Sequence, residues 1–278
     1  MNNVPKISIV IPSFNQGKFI ERTLESIFQQ AYRNLEVIII DGGSDDETVD
    51  ILKRYDDRLH YWESEPDRGQ SHALNKGFQR ATGEIFAWQN ADDTYVDGAF
   101  NRVIAAFRAD PAKKIVFGDY FTIDEHDREV ERVHAFDFSL KHFIFEGFHL
   151  NSQATFWRKE VHQRFGEFDE ELHRTMDYDM LLRFGLTEGE DAFLRIDDAL
   201  ACFRRHADQK TQGFDVRVRI EHERIAKRWH TKRHERPYNL LRSIFRLRRV
   251  YWYWRRGGYT LVVEKLGNSI QHRIKIRS

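Results

Sequence analysis

Trp88-Gln89-Asn90-Ala91-Asp92-Asp93 sets two adjacent carboxylates directly after a short apolar run, Glu84-Ile85-Phe86-Ala87-Trp88. Such a run reads as a buried strand. The carboxyl end of a strand in an open α/β sheet opens into the crevice where ligands bind. Paired oxygen ligands at that place suit a hard divalent cation shared with phosphate groups. A plain turn is the competing reading, because Asn and Asp are common turn formers. Two more acids hold equivalent positions: Asp41 follows Leu35 to Ile40, and Asp67 follows Leu59 to Trp62. With the strands parallel and adjacent, all three turns share one sheet edge. Carboxylates clustered there are costly unless a cation or hydrogen-bond donors compensate. No Walker sequence and no Gly-x-Gly-x-x-Gly follows the first strand, so metal-bridged binding of a diphosphate is the natural expectation.

The elements that must position these residues alternate along the first half. Lys6 to Ile11 is a β-branched run that reads as a buried parallel strand ended by Pro12. Gln16 to Gln30 has helical spacing, with Phe19, Ile20, Leu24, Ile27 and Phe28 on one face. Ser44 or Asp45 is placed to cap a second helix running to about Tyr55. Gln70 to Ala81 reads as a third helix, and Ile85 to Trp88 as a fourth strand. This β-α-β-α-β-α-β order implies a parallel sheet with right-handed crossovers. Further on, strands are expected over 115–120, 153–157 and 199–203, and helices over 159–165 and 178–185. From about Asp215 the pattern becomes helical and basic.

The composition, 41% hydrophobic and 32% charged over 278 residues, is that of a folded soluble protein rather than a disordered one. The formal charge of zero hides an asymmetry. Residues 233 to 278 hold twelve Lys and Arg against Glu235 and Glu264, a formal +10. The preceding 232 residues hold 32 basic and 42 acidic residues, a formal −10. The single cysteine, Cys202, rules out an internal disulfide and any cysteine-based zinc cluster, which fits a reducing compartment. No signal peptide is visible, and no apolar run approaches the roughly 18 residues of a membrane span. A cytoplasmic location is expected, with the basic tail as a possible peripheral hold on the cytoplasmic membrane face.

Taken together, the chain resembles the family 2 glycosyltransferases, which have the GT-A fold. The matching segments are Ile9 to Asn15, Ile40 to Thr48, Ser64 to Gln70, Ala73 to Gly77, Asn90 to Asp93, Gly166 to Glu170 and Met176 to Asp179. The likeness covers about residues 5 to 210, and the ordered set is far more specific than any one motif. It implies an α/β fold with a central, mainly parallel sheet flanked by helices. The GT-A domain would span 1–215, with a nucleotide-binding half of about 1–105 and an acceptor half of about 106–215. A basic helical extension would cover 216–278.

The resemblance also implies roles. Pro12, Phe14 and Asn15 would lie under the nucleotide, and Asp41 would accept from the imide of a uracil or thymine. Asp67, Gly69 and Gln70 would flank the nucleoside, with Lys76 also on the donor side. Asn90, Ala91 and Asp92 stand at the Asp-x-Asp site. Asn90 departs from the first Asp of that pattern, so one negative charge is lost, although its amide oxygen could still accept a ribose hydroxyl. Asp92 would be the main ligand of Mn2+ or Mg2+, and His206 could complete the metal site. Arg204 and Arg205 could instead grip the diphosphate. Asp177 aligns with the general base, with Met176 replacing a Glu; Asp179 is the competing base. Trp88, Gln153 and Trp157 could shape the sugar or acceptor side.

The implied activity is inverting transfer of a sugar from a UDP- or dTDP-sugar to a hydroxyl of a glycan or lipid-linked glycan, in cell-surface polysaccharide assembly. A sugar-1-phosphate nucleotidyltransferase and a degenerate glycan-binding domain are the alternatives. For the basic tail, docking on an anionic membrane and packing on the acidic body, with a homodimer contact as a variant, stay open. No nucleic-acid motif is present, and no nucleic-acid partner is expected.

Overall fold

The computed structural model describes residues 4–147, 150–210, 216–229 and 238–275. The first half follows the expected alternation: β1 (Ile7–Ser13), α1 (Ile20–Phe28), β2 (Leu35–Asp41), α2 (Thr48–Arg54), β3 (Tyr61–Ser64), α3 (Gln70–Arg80) and β4 (Ile85–Trp88). Then come β5 (Thr94–Tyr95), α4 (Ala99–Ala109), β6 (Ile115–Ile123), β7 (Glu129–Val133), α5 (Leu140–Glu146), β8 (Thr155–Arg158) and α6 (Lys159–Phe165). The chain continues through α7 (Met176–Glu188), β9 (Phe193–Arg204), α8 (Val216–Arg228) and α9 (Tyr238–Lys275).

The strands form one sheet in the order β3-β2-β1-β4-β8-β6-β9-β5, with β7 added on β6. β3, β2, β1 and β4 are mutually parallel. β8 runs antiparallel to β4 and β6, and β5 antiparallel to β9. The central strands are apolar on both faces because helices cover both. Ile7, Ile9 and Ile11 of β1 enter one core with α1, α2 and α4, while Val10 enters the other with α3, α6 and α7. α3 lies so close to β1 that a Cβ on Gly77 would clash with Val10 Cγ1. That contact fixes the height of α3 over the sheet.

Several local expectations change. β1 does not stop at Pro12 but runs on to Ser13, pairing Pro12 with Ile40 of β2. α1 starts at Ile20 rather than Gln16, because the 15–17 backbone is drawn into bonds with the 44–48 loop. Neither Ser44 nor Asp45 caps α2; Asp46 accepts from Thr48 N–H at 2.9 Å, and Ser44 turns back to Asp41. One strand, β7 at Glu129–Val133, has no counterpart among the expected elements.

The helices that follow residue 215 pack on the body. Ile225 of α8 belongs to the main core, and α9 packs along α5. Residue 215 and the 230–237 segment of the tail lie outside the described residues.

Candidate active site

β1 and β4 are neighbours whose following loops lead in opposite directions, the place where an open α/β sheet forms its crevice. Asn15 follows β1 at φ 51°, Asp41 ends β2, Asp67 follows β3, and Asn90 to Asp93 follow β4. The expected cluster of acidic turns on one sheet edge is therefore assembled.

The turns are tied to one another. Ser44 Oγ accepts from Asn15 N–H at 2.7 Å and donates to Asp41 Oδ1 at 2.6 Å. Asp41 Oδ2 accepts from Ser44 N–H and from Ser64 Oγ at 2.9 and 2.7 Å. Asp41 is 0% exposed, so it braces three loops and offers no oxygen to solvent. Asp67 is partly exposed and packs against Gly42, with its Oδ1 accepting from Gly69 N–H at 2.7 Å. Gly69, at φ 109°, makes the turn into α3 that L side chains resist. Pro12 is buried within β1, whereas Phe14 is 60% exposed beside these turns. Lys76 pairs with Glu63 of β3 rather than joining the acidic turns.

The adjacent acids do not act as a pair. Asp93 is fully buried and accepts from Arg204 N–H at 2.7 Å and from Asn90 Nδ2 at 3.0 Å. Burial, and then the charge of Asp92, push its carboxyl well above the usual range. Asp92 Oδ2 instead lies 3.0 Å from His206 Nε2. β9 makes this contact possible: its pairing with β5 brings residues 203–206 back beside 92–93. Arg204 is 0% exposed, with Nε donating to Asp92 O at 2.7 Å and Nη2 paired to Asp127 at 2.6 Å. It holds the loop and cannot grip a diphosphate.

Asn90 Oδ1 already accepts from Trp88 Nε1 and Gln70 Nε2, both at 3.1 Å, so both its lone pairs are engaged and a ribose hydroxyl would have to displace a donor. Ala91 is buried, and its carbonyl accepts from Thr23 Oγ1. Trp157 is plain core at 0% exposure, and Gln153 is buried against Ser152.

Across from this edge stands the N-terminus of α7. α3 stitches the preceding loop in place: Ser71 Oγ donates to Leu172 O, and Asn75 exchanges two hydrogen bonds with Phe168. Arg68 grips Glu170 through two bonds, at 2.7 and 3.1 Å. Sequence reasoning missed Glu221 of α8, whose carboxylate accepts the N–H groups of His173, Arg174 and Thr175, each at 3.0 Å. Within the first turn, Asp177 is partly exposed and accepts from Tyr178 N–H. Burial is the main cause that lifts its pKa from 3.8 to about 6. Asp179 is instead locked at 1% exposure by Arg183 and Trp229 Nε1, which removes it as a base.

Lys210 links the two sides. Its ammonium donates to Gln70 Oε1 at 3.2 Å and lies within electrostatic reach of Asp177 and Asp67.

The sheet, the crevice and the loops around it define a GT-A nucleotide-sugar transferase architecture. Residues 8–166 match the family model described as Glycosyl transferase family 2, and the chain belongs to that family. An uncharacterized glycosyltransferase of Rickettsia typhi is 30% identical over 192 residues, covering 65% of this chain and 58% of that protein. The chain thus spans little more than half the length of that relative. An uncharacterized glycosyltransferase of Mycobacterium tuberculosis is 31% identical over 193 residues, covering 67% of this chain and 71% of its own length. Among solved structures, Staphylococcus aureus TarS 1-349 in complex with UDP-GlcNAc superposes with a TM-score of 0.67 at 19% identity, covering 92% of this chain and 75% of that one. The mannosyltransferase PcManGT from Pyrobaculum calidifontis, in complex with GDP-Man and Mn2+, gives 0.55 at 14% identity, covering 97% and 81%. At such identities these likenesses speak for the fold.

Proposed function

We propose that the protein transfers a sugar, with inversion, from a UDP- or dTDP-sugar to a hydroxyl of a glycan or lipid-linked glycan. The observation that carries this reading is the opposition of Asp177 to the Asp67–Gln70 turn, bridged by Lys210. A single displacement needs one base facing the leaving group, and a carboxyl shifted toward neutral pH suits that task. The bound donor would lie over the 12–15, 41–44 and 67–70 turns, its base against the exposed ring of Phe14.

Asp92 and His206 fit a divalent cation. They would offer it a carboxylate oxygen and an imidazole nitrogen, 3.0 Å apart. Among the described residues no set of three or more His, Cys, Asp or Glu could hold a metal. The cation would neutralise charge building on the leaving diphosphate. Asp177 takes the acceptor hydroxyl proton as the acceptor oxygen bonds to the anomeric carbon and the carbon–phosphate-oxygen bond breaks. The departing nucleoside diphosphate carries off the electron pair.

A panel of nucleotide sugars with manganese, read by released nucleotide, tests the proposal. Release with a uridine or thymidine donor that falls on chelation is expected. Release from none of the panel, with any acceptor, would reject transfer in favour of a glycan-binding role.

A further inference from the structure

α9 has two faces with different fates. Its inner face docks on the body. Arg249 pairs with Glu146 at 2.9 Å, and Arg256 pairs with Asp119 and Asp197 at 3.2 and 2.6 Å. Phe245 stacks on Phe145, and Trp252 lies against Phe136. This answers the packing alternative for the first half of the helix. The inner arginines are thereby neutralised.

The outer face is not used in this way. Leu240, Ile244, Leu247, Tyr251 and Trp254 recur at the spacing of one helical stripe. They are 62, 44, 69, 58 and 55% exposed. Arg246, Arg248 and Arg255 are exposed on the same helix. Residues 238 to 263 contain no Asp or Glu. Among the described residues no helix is long and apolar enough to cross a membrane.

We propose that this outer face docks on an anionic lipid bilayer, with α9 lying in the plane of the interface. Burying the apolar stripe at the head-group boundary removes it from water, and tyrosine and tryptophan favour that boundary. The charge argument selects the occupant. A second copy on the same stripe would set arginines near arginines with no carboxylate between them. Anionic head groups supply the missing charge, while the acidic body is repelled and keeps this face turned to the surface.

Flotation of the full chain with vesicles tests the proposal. The protein should float with phosphatidylcholine vesicles containing phosphatidylglycerol, stay behind with phosphatidylcholine alone, and come off in high salt. Arg248→Glu with Arg255→Glu should weaken partitioning by on the order of 30-fold. Leu247→Glu with Trp254→Glu should abolish it, with circular dichroism unchanged. Failure of the intact protein to float with anionic vesicles overturns the proposal. So does undiminished flotation of both variants, or a dimer that Leu247→Glu with Trp254→Glu dissolves in protein that never floats. The assay reads no turnover, so its failure leaves the donor-site reading untouched.

Discussion

The donor edge and the head of α7 both withdraw carboxylates from water, but they satisfy them differently. Asp41 accepts three hydrogen bonds from Ser44 and Ser64, and Asp93 accepts from Arg204 and Asn90. These acids are braces: their donors fix loops. Asp177 keeps its bond from Tyr178 N–H to Oδ1 and stays partly open to solvent, and its pKa sits near 6. An under-satisfied carboxylate is costly to hold, and it is the one able to take a proton. Under the proposed reading, the contrast separates scaffold from chemistry.

Replacing the open carboxylate should break the contrast most sharply. Asp177→Asn should lower transfer by about 10²–10⁴-fold while sparing donor binding. Near-normal turnover would reject Asp177 as the base. The same change should raise thermal stability at neutral pH. A carboxyl whose folded pKa is raised stabilises fully below 3.8, and that stability is lost as pH climbs to about 6. The gain is at most about 3 kcal/mol, and less after solvent screening, because two pKa units convert at about 1.4 each.

Asp92→Ala should weaken manganese-dependent UDP binding by on the order of 10–100-fold with little change in melting temperature. Equal calorimetric affinities would remove Asp92 from the metal site. Glu221→Ala leaves three backbone N–H groups and the Thr175 hydroxyl without their acceptor, and should cost about 2–4 kcal/mol in denaturant unfolding.

The smallest effect is the most specific. Transfer should rise with pH through about 6 as Asp177 ionises. Lys210→Met should shift that limb upward and Glu221→Gln downward, each by a fraction of a unit, since Lys210 lowers and Glu221 raises the Asp177 pKa. A limb that moves in neither variant would detach it from Asp177.

The donor edge was legible in the sequence because each of its acids lies within a few residues of an apolar strand. Asp177 is singled out by the family likeness alone, and its role as base is a proposal. Longer-range features were not legible. Glu221 looks like one charge on a solvated helix, and its partners lie 46 to 48 residues upstream. Arg204 looks like part of a basic surface run, and the pairing of β9 with β6, the Phe19 ring and Asp127, all distant in sequence, bury it. The Asp92–Asp93 pair was misread for a local reason. Asp92 and Asp93 lie in a turn closed by the Asp93 N–H on Asn90 O, and that turn sends one carboxylate into the core and leaves the other facing His206.

The carboxylate of Glu221 also bears on where the catalytic unit ends. The family match stops at residue 166, and the likeness read from the motifs stops near 210. Yet the segment leading into the Asp177 turn is held by a residue beyond both limits. The turn that carries the proposed base is thus fastened by α8, an element that also gives Ile225 to the main core.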